Sequence, residues 1–70
     1  MKKYKDLDKN SEIEAYEYDE HGMVVRFKKG EEIEYSSKTV EFFDLDCLRN
    51  RADSGRGLDE YIKEIEARRI

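Results

Sequence analysis

The stretch that decides the fold is MVVRFKKGEEIEYS, residues 23–36. Its larger apolar side chains recur at every second position on both sides of a turn, at Met23, Val25 and Phe27 and again at Ile33 and Tyr35. A period of two is typical of a β-strand with one buried face, because successive side chains point to opposite faces. The stretch therefore predicts a β-hairpin whose strands share one apolar face.

The register of this hairpin follows from the same alternation. A three-residue turn centred on Gly30 places Lys28 opposite Glu32. The same register places Arg26 opposite Glu34. Because opposite charges across antiparallel strands contribute roughly 0.2–1 kcal/mol a pair, we expect neighbouring carboxylates to neutralise the basic residues of the hairpin.

Another strand is predicted upstream, over residues 12–18, followed by a turn in which Gly22 accommodates a positive φ. The apolar residues of this strand do not keep one parity, since Ile13 and Tyr16 fall on opposite faces. Two explanations stay open. A bulge near Tyr16 turns Tyr18 inward, or both faces of the strand are partly covered.

After residue 38 the hydrophobic period becomes helical. Residues 39–52 carry one apolar stripe, widened at two positions: Val40, Phe43, Cys47 and Leu48, with Phe42 and Leu45. Ser37 or Thr39 is a suitable N-cap for this helix. A second stripe follows the break at residues 53–57 and predicts a second helix: Leu58, Tyr61, Ile62 and Ile65.

Taken in order, these elements predict an α+β domain with a three-stranded antiparallel β-meander and two α-helices packed on one face, β-β-β-α-α. We expect this single domain over residues 11–70. Residues 1–10 are polar and Lys-rich, which is typical of a flexible tail. Tyr4 and Leu7 are its candidates for packing onto the domain edge.

Composition limits the function. With 70 residues, 37% hydrophobic and 46% charged, the core needs nearly every apolar side chain, so we expect no deep catalytic pocket and no cofactor. The net charge of −4 opposes a role dominated by coating phosphate backbones, although local basic patches are compatible with it. A homodimer is compatible with this composition but is not required by it.

The cellular setting is predicted from three absences in the sequence. No run of about 18 apolar residues is present to span a membrane. The basic amino terminus lacks the apolar centre of a signal peptide. The single cysteine, Cys47, has no partner for an internal disulfide. We therefore expect a cytoplasmic protein that makes no contact with membranes.

Residues with catalytic potential are few. His21 is the only histidine and lies in a turn, where an exposed position is expected. Cys47 lies on the apolar stripe of the first helix, where a free cysteine commonly packs as a small hydrophobe. The glutamates of the strands alternate outward, away from the burial that a general acid requires. We expect no enzymatic activity and no metal site.

The segment Ser54-Gly55-Arg56-Gly57 has two interpretations. Two glycines around an arginine, just before a helix, can expose backbone N–H groups and a guanidinium to an anion. Alternatively, Gly55 ends the first helix in the left-handed conformation and Gly57 lets the second helix turn back. The second interpretation needs no ligand, but it gives no structural role to Arg56.

Four segments together resemble a known family: IEAYEYD (13–19), VRFKKG (25–30), IEY (33–35) and ADSGRGL with the following YI (52–62). In this order they resemble the KTSC domain, a small domain named for the carboxy-terminal region of some lysyl-tRNA synthetases and also found alone in short bacterial proteins. The likeness covers residues 11–62. The central Tyr-x-Tyr of the family corresponds here to Ile33-Glu34-Tyr35, so its first tyrosine is missing.

The resemblance implies RNA binding, with Tyr35 and Arg56 as the residues carried over. In this first hypothesis the chain is an RNA- or nucleotide-binding accessory domain without catalytic activity. Tyrosines on an open sheet face can stack bases, although Tyr35 has the parity of the core residues. The candidate contacts combine phosphate-binding cations, one stacking ring and two glycines: Arg26, Lys28, Lys29, Arg56, Tyr35, Gly55 and Gly57.

The second hypothesis is an acidic protein-interaction module, such as an adaptor or a small inhibitor of a larger partner. Free edges on the first and third predicted strands could accept a strand from the partner. The acidic strand faces could steer a basic surface towards the chain. The sequence leaves the choice between an RNA and a protein partner open.

Overall fold

The computed structural model describes residues 1–68, which form a four-stranded antiparallel sheet followed by two helices. The strands are β1 (Lys2–Lys3), β2 (Ile13–Tyr18), β3 (Gly22–Phe27) and β4 (Glu32–Ser36), in the sheet order β1-β2-β3-β4. The helices are α1 (Phe42–Ser54) and α2 (Leu58–Arg68). The α+β class and the order of a meander before two helices are confirmed. The predicted end of the domain at residue 70 lies outside the described residues.

The amino-terminal segment adds a strand that the sequence analysis did not predict. Lys2 and Lys3 pair with Tyr16 and Ala15 of β2, so the count of three strands is wrong by one. Tyr4 is buried, and its hydroxyl accepts a hydrogen bond from the Leu58 backbone N–H at 3.4 Å. Tyr4 therefore packs onto the domain as the sequence suggested, and residues 2–4 belong to the sheet and core instead of a polar tail.

The β3–β4 hairpin has its loop one residue earlier than predicted. The Phe27 N–H donates to the Glu31 carbonyl and the Gly30 N–H donates to the Phe27 carbonyl, so the three loop residues are 28–30. Gly30 takes a φ of 98° at the last loop position, where a turn followed by a left-handed residue joins two strands. Consequently Arg26 lies opposite Glu32, which corrects both predicted charge pairs.

A bulge in β2 explains its mixed parity. The register shifts between Ile13 and Ala15, earlier than the expected position near Tyr16. Beyond the bulge, Tyr16 lies opposite Val25, and Tyr18 lies opposite Met23. Both tyrosines are thereby placed on the face that the helices cover. The bulge explanation is confirmed, with its position corrected.

Gly22 is required for space, and its φ is not among the positive ones. A Cβ at this position would lie 2.3 Å from the Tyr35 carbonyl oxygen of the neighbouring strand. The expected positive φ in this turn is therefore wrong. Close approach of two backbones is the physical reason for glycine here.

Helix α1 has a different buried face from the one predicted. It begins at Phe42, since the Glu41 carbonyl accepts the first N–H groups, those of Asp44 and Leu45. A separate turn precedes it, in which the Ser36 carbonyl accepts the N–H groups of Thr39 and Val40. Glu41 occupies the N-cap position without a side-chain hydrogen bond, so neither predicted cap is used. The buried positions are Asp44, Leu45, Leu48 and Ala52, whereas Phe42 and Phe43 point outward.

Helix α2 follows the prediction. Its buried residues are the four that the period indicated: Leu58, Tyr61, Ile62 and Ile65. With α1 they cover the sheet face formed by Tyr16, Met23, Val25 and Tyr35, which makes one core. In residues 1–68, neither helix combines the length and the apolar character that crossing a bilayer requires.

Candidate functional site

Two of the three predicted cations of the hairpin are paired with carboxylates. The Arg26 guanidinium contacts the Glu32 carboxylate through Nε at 2.8 Å and Nη2 at 2.7 Å. The Lys28 ammonium lies 3.5 Å from the Asp6 carboxylate. Lys29 is exposed at the hairpin tip. Two of these three charges are therefore partly neutralised before any phosphate arrives.

Tyr35 has no exposed ring on which a base could stack. Its side chain is completely buried, at 0% exposure, in the core between the sheet and the helices. The hydroxyl donates to the Glu66 carboxylate of α2 at 2.9 Å. Its parity with the core residues thus decides its position, and Tyr35 ties the sheet to α2.

The 55–57 turn is covered by the amino-terminal segment. Gly55 is left-handed, with a φ of 80°, and its N–H donates to the Arg51 carbonyl as the end of α1. Its own carbonyl accepts the Leu7 N–H, and a Cβ at Gly55 would lie 2.7 Å from the Lys5 Cβ. Gly57 packs equally closely on the Arg51 guanidinium. The role of ending one helix and starting the next therefore accounts for both glycines.

The surroundings of this turn are acidic. Arg56 is exposed, and its Nε lies 3.8 Å from the Asp8 carboxylate. The small cavity beside the turn has a volume of about 40 Å³, and its lining includes four acidic residues: Asp6, Asp8, Asp59 and Glu60. A phosphate would meet these negative charges at short range, so the electrostatics disfavour an anion here.

The seven candidate residues do not converge on one site. The amino-terminal loop lies between the hairpin tip and the 55–57 turn, with Asp6 on Lys28 and Asp8 on Arg56. Tyr35 lies apart from both, on the buried face of β4. The other two residues with catalytic potential are also placed: the His21 side chain is 82% exposed, as expected of the turn, and Cys47 packs half-buried against the core.

One polar cluster that the sequence analysis missed lies where the carboxy-terminal half of α1 meets the sheet. The Asp53 carboxylate accepts hydrogen bonds from the Tyr16 hydroxyl at 2.7 Å and the Tyr18 hydroxyl at 2.6 Å. These hydrogen bonds, that of Tyr18 first, hold the pKa of Asp53 below its ordinary value. The Arg49 guanidinium lies over the Tyr18 ring, 5.5 Å from its centroid. These hydrogen bonds and the ring contact join residues of α1 to residues of β2, so the cluster fastens the helix to the strand.

A second polar cluster joins the two helices. The buried Asp44 carboxylate accepts hydrogen bonds from the Tyr61 hydroxyl and from Nη2 of Arg68. Burial opposes the charged form of Asp44, but these two donors outweigh it and lower the pKa of the carboxyl. This arrangement lets an aspartate occupy the buried face of α1.

The two most exposed large apolar side chains of the described residues lie at the start of α1. Phe42 is 71% exposed and Phe43 is 57% exposed, at successive positions of the first turn. Phe42, but not Phe43, lines an open cavity of about 400 Å³, together with residues that include Val40, Ile65 and Arg68. We call these two exposed side chains the Phe42–Phe43 patch. Exposed aromatic side chains are candidate anchors for a protein partner, because aromatic residues dominate the energetics of interfaces.

Comparison with known proteins gives no relative: no family model, curated protein or solved structure matches the chain.

The sequence contained one signal for the patch. The set Leu45, Leu48 and Ala52 has helical spacing and excludes both phenylalanines, but it places Asp44 on the buried face. An acidic residue is unusual on the buried face of a helix, so the sequence alone favours the stripe that contains Phe43. Only the hydrogen bonds from Tyr61 and Arg68, which are distant in sequence, make Asp44 acceptable there.

Proposed function

We propose that this chain is a non-enzymatic protein-interaction module whose anchor is the Phe42–Phe43 patch. The observation that carries the proposal is the outward position of both rings in a chain whose core needs nearly every apolar residue. Aromatic side chains dominate binding energy at protein interfaces, where they fill apolar cavities of the partner. The partner is thus expected to offer an apolar cavity that accepts the two rings.

The size of the patch supports an anchor and not a whole interface. At the usual burial of about 200 Å² for an aromatic side chain, the exposed parts of Phe42 and Phe43 amount to roughly 250 Å². A standard interface buries about 800 Å² per partner. The two rings would supply nearly a third of that area, so neighbouring polar surface must supply the rest.

Charge argues for a different protein as the occupant. Two copies of this chain carry the same net charge of −4 and repel each other at long range. A partner with a basic rim around its apolar cavity would be attracted instead. Self-association through the patch is therefore the less favourable alternative, and it is one outcome of the test below.

RNA binding, which the KTSC resemblance implies, stays a prediction with less support. Its stacking residue is buried, and Arg26, Lys28 and Arg56 each lie beside a carboxylate. The acidic lining of the 55–57 turn adds repulsion. RNA binding would show itself as affinity that falls steeply with added salt.

The experiment introduces a photo-crosslinking phenylalanine analogue at position 43 and, as a matched control, at the exposed position Lys63 of α2. Irradiation in nuclease-treated native lysate should yield one protein adduct from position 43 that is missing from position 63. The adduct protein, once purified, should bind the Phe43→Ser chain about thirtyfold more weakly, as expected for a hot-spot residue. Lys63→Ser should bind like the parent chain.

Three results would contradict the proposal. Equal adducts from both positions would mean non-specific contact. An unchanged affinity of the purified protein for Phe43→Ser would remove the anchor. An adduct formed only with a second copy, together with dimers in analytical ultracentrifugation that Phe43→Ser abolishes, would replace the external partner by self-association.

A further inference from the structure

Strand β4 has one side open to a partner. Within residues 1–68 it pairs only with β3. The backbone groups of successive residues in a strand point alternately to its two neighbours. Because the Glu31 carbonyl accepts the Phe27 N–H, the backbone groups of Ile33 and Tyr35 also point to β3. The backbone N–H and C=O groups of Glu32 and Glu34 therefore point to the open edge.

A turn closes the carboxyl end of this edge. At the carboxyl end, the Ser36 N–H donates to the Thr39 side-chain hydroxyl, and the Ser36 carbonyl accepts the Thr39 and Val40 N–H groups. The turn thus satisfies the outward groups of Ser36 and leaves those of Glu32 and Glu34. The other predicted free edge, that of β2, is covered in part by β1.

The side chains along the open edge alternate between acidic and apolar. Glu32 and Glu34 lie on the outer face of the sheet, where Val24 separates Glu34 from Glu17 of β2. Glu32 is bound by Arg26, whereas Glu34 has no ion pair with another described residue. Ile33 lies on the inner face, half-buried, beside an open cavity of about 410 Å³ that Phe27 also lines.

We infer that β4 binds an extended segment of a partner protein in which two basic residues flank an apolar one. The segment would add as a fifth strand, with its backbone bonded to Glu32 and Glu34. Its basic side chains would lie opposite Glu34 and Glu32 on the outer face. Its apolar side chain would pack on Ile33 on the inner face, where directly opposed side chains are closest.

The charge of the edge disfavours the two other obvious occupants. A second copy pairing through β4 would place glutamates opposite glutamates, which destabilises the pairing. A nucleic acid would bring phosphates to the same row of carboxylates. The inference rests on the proposed function only in that the partner is a protein, since β4 and the Phe42–Phe43 patch are separate surfaces.

The test uses the full chain and a capped peptide of alternating lysine and valine. Binding should shift the amide resonances of residues 32–35 and slow hydrogen exchange at Glu32 and Glu34. A peptide of the same sequence, N-methylated at the positions that pair with β4, keeps its charge but loses the backbone donors. It should bind at least about tenfold more weakly, because each lost backbone hydrogen bond removes a net interaction.

Variants separate this surface from general electrostatics and from the patch. Glu34→Lys should lower the affinity for the lysine–valine peptide about fivefold, since an attractive pair becomes a repulsive one. Glu64→Lys, the same change on the exposed face of α2, should leave the affinity almost unchanged. Phe43→Ser should also leave it unchanged, so a failed anchor does not affect this result.

The inference would be overturned by equal affinities for the parent and N-methylated peptides, or for the Glu34→Lys and Glu64→Lys chains. Resonance shifts centred outside residues 31–36 would overturn it as well. If the crosslinking test at position 43 fails and the peptide test succeeds, β4 is the binding surface. If the crosslinking test succeeds and the peptide test fails, the Phe42–Phe43 patch is the only supported binding surface.

Discussion

Nη2 of Arg68, near the end of α2, donates a hydrogen bond of 2.9 Å to the Asp44 carboxylate in the first turn of α1. The contact links two residues 24 positions apart. Asp44 is only 3% exposed, so its charge depends on this donor and on the Tyr61 hydroxyl. The stability of the helix pair is thereby linked to the ionisation of one carboxyl.

Stability should fall in acid partly through Asp44. Its pKa is below the ordinary 3.8 in the folded chain, so its contribution is complete above that pH and is lost as the pH falls through the folded value. Asp44→Asn should cost about 1–3 kcal/mol at neutral pH, and the difference from the parent should shrink below about pH 4. Urea denaturation across pH measures both effects. Asp46→Asn, an exposed change on the same helix, should stay within about 0.5 kcal/mol.

The face of α1 that is buried can be tested by paired substitutions. Leu45→Ala should lower the free energy of unfolding by about 2–5 kcal/mol, because it leaves a cavity in the core. Phe42→Ser should change it by less than about 0.5 kcal/mol, because the ring is exposed. Chemical denaturation of both variants would measure the two effects. A large loss from Phe42→Ser would show that the predicted stripe, and not the observed one, faces the core.

The amino-terminal segment should contribute to stability. Tyr4→Ala should cost about 3 kcal/mol, since a buried ring is removed. The variant should also lose hydrogen-exchange protection of the residue 4 amide, which donates to the Glu14 carbonyl. Leu7→Ala, at an exposed position of the same segment, serves as the control and should cost less than about 1 kcal/mol. If neither substitution changed the free energy of unfolding, the amino-terminal segment would be a flexible tail, as the sequence predicted.

The tyrosine pair should set the ionisation of Asp53. Tyr18→Phe removes the hydrogen bond that lowers the pKa of Asp53 most, so that pKa should rise towards its ordinary value. Carbon-detected NMR titration of the carboxyl measures the change. Tyr61→Phe is the reciprocal control, because it should raise the pKa of Asp44 and leave that of Asp53 in place. A Tyr18→Phe chain with an unaltered Asp53 titration would rule out the hydrogen bond.

Local patterns predicted the parts of the fold that depend on period alone. The face of β3 with Met23 and Val25 and the four buried positions of α2 follow directly from spacing. The loop at Gly30 was displaced by one residue, because alternation does not specify which turn position takes the positive φ. β1 was not predicted, because its two lysines show no alternation of apolar and polar side chains.

The candidate site depended on long-range partners and was harder to predict. Whether Lys28 and Arg56 are free is decided by carboxylates of the amino-terminal segment, Asp6 and Asp8. The outward position of the Phe42–Phe43 patch likewise depends on how Asp44 is satisfied from α2. Neither relationship is encoded in local spacing.

The most direct measurement of the central claim is the affinity of the purified crosslinked partner for the parent chain and for Phe43→Ser, in nuclease-treated buffer. We predict a dissociation constant about thirtyfold larger for Phe43→Ser, with the fold unchanged by circular dichroism. Equal dissociation constants, or a complex that nuclease dissolves, would contradict a protein-interaction module anchored by this patch.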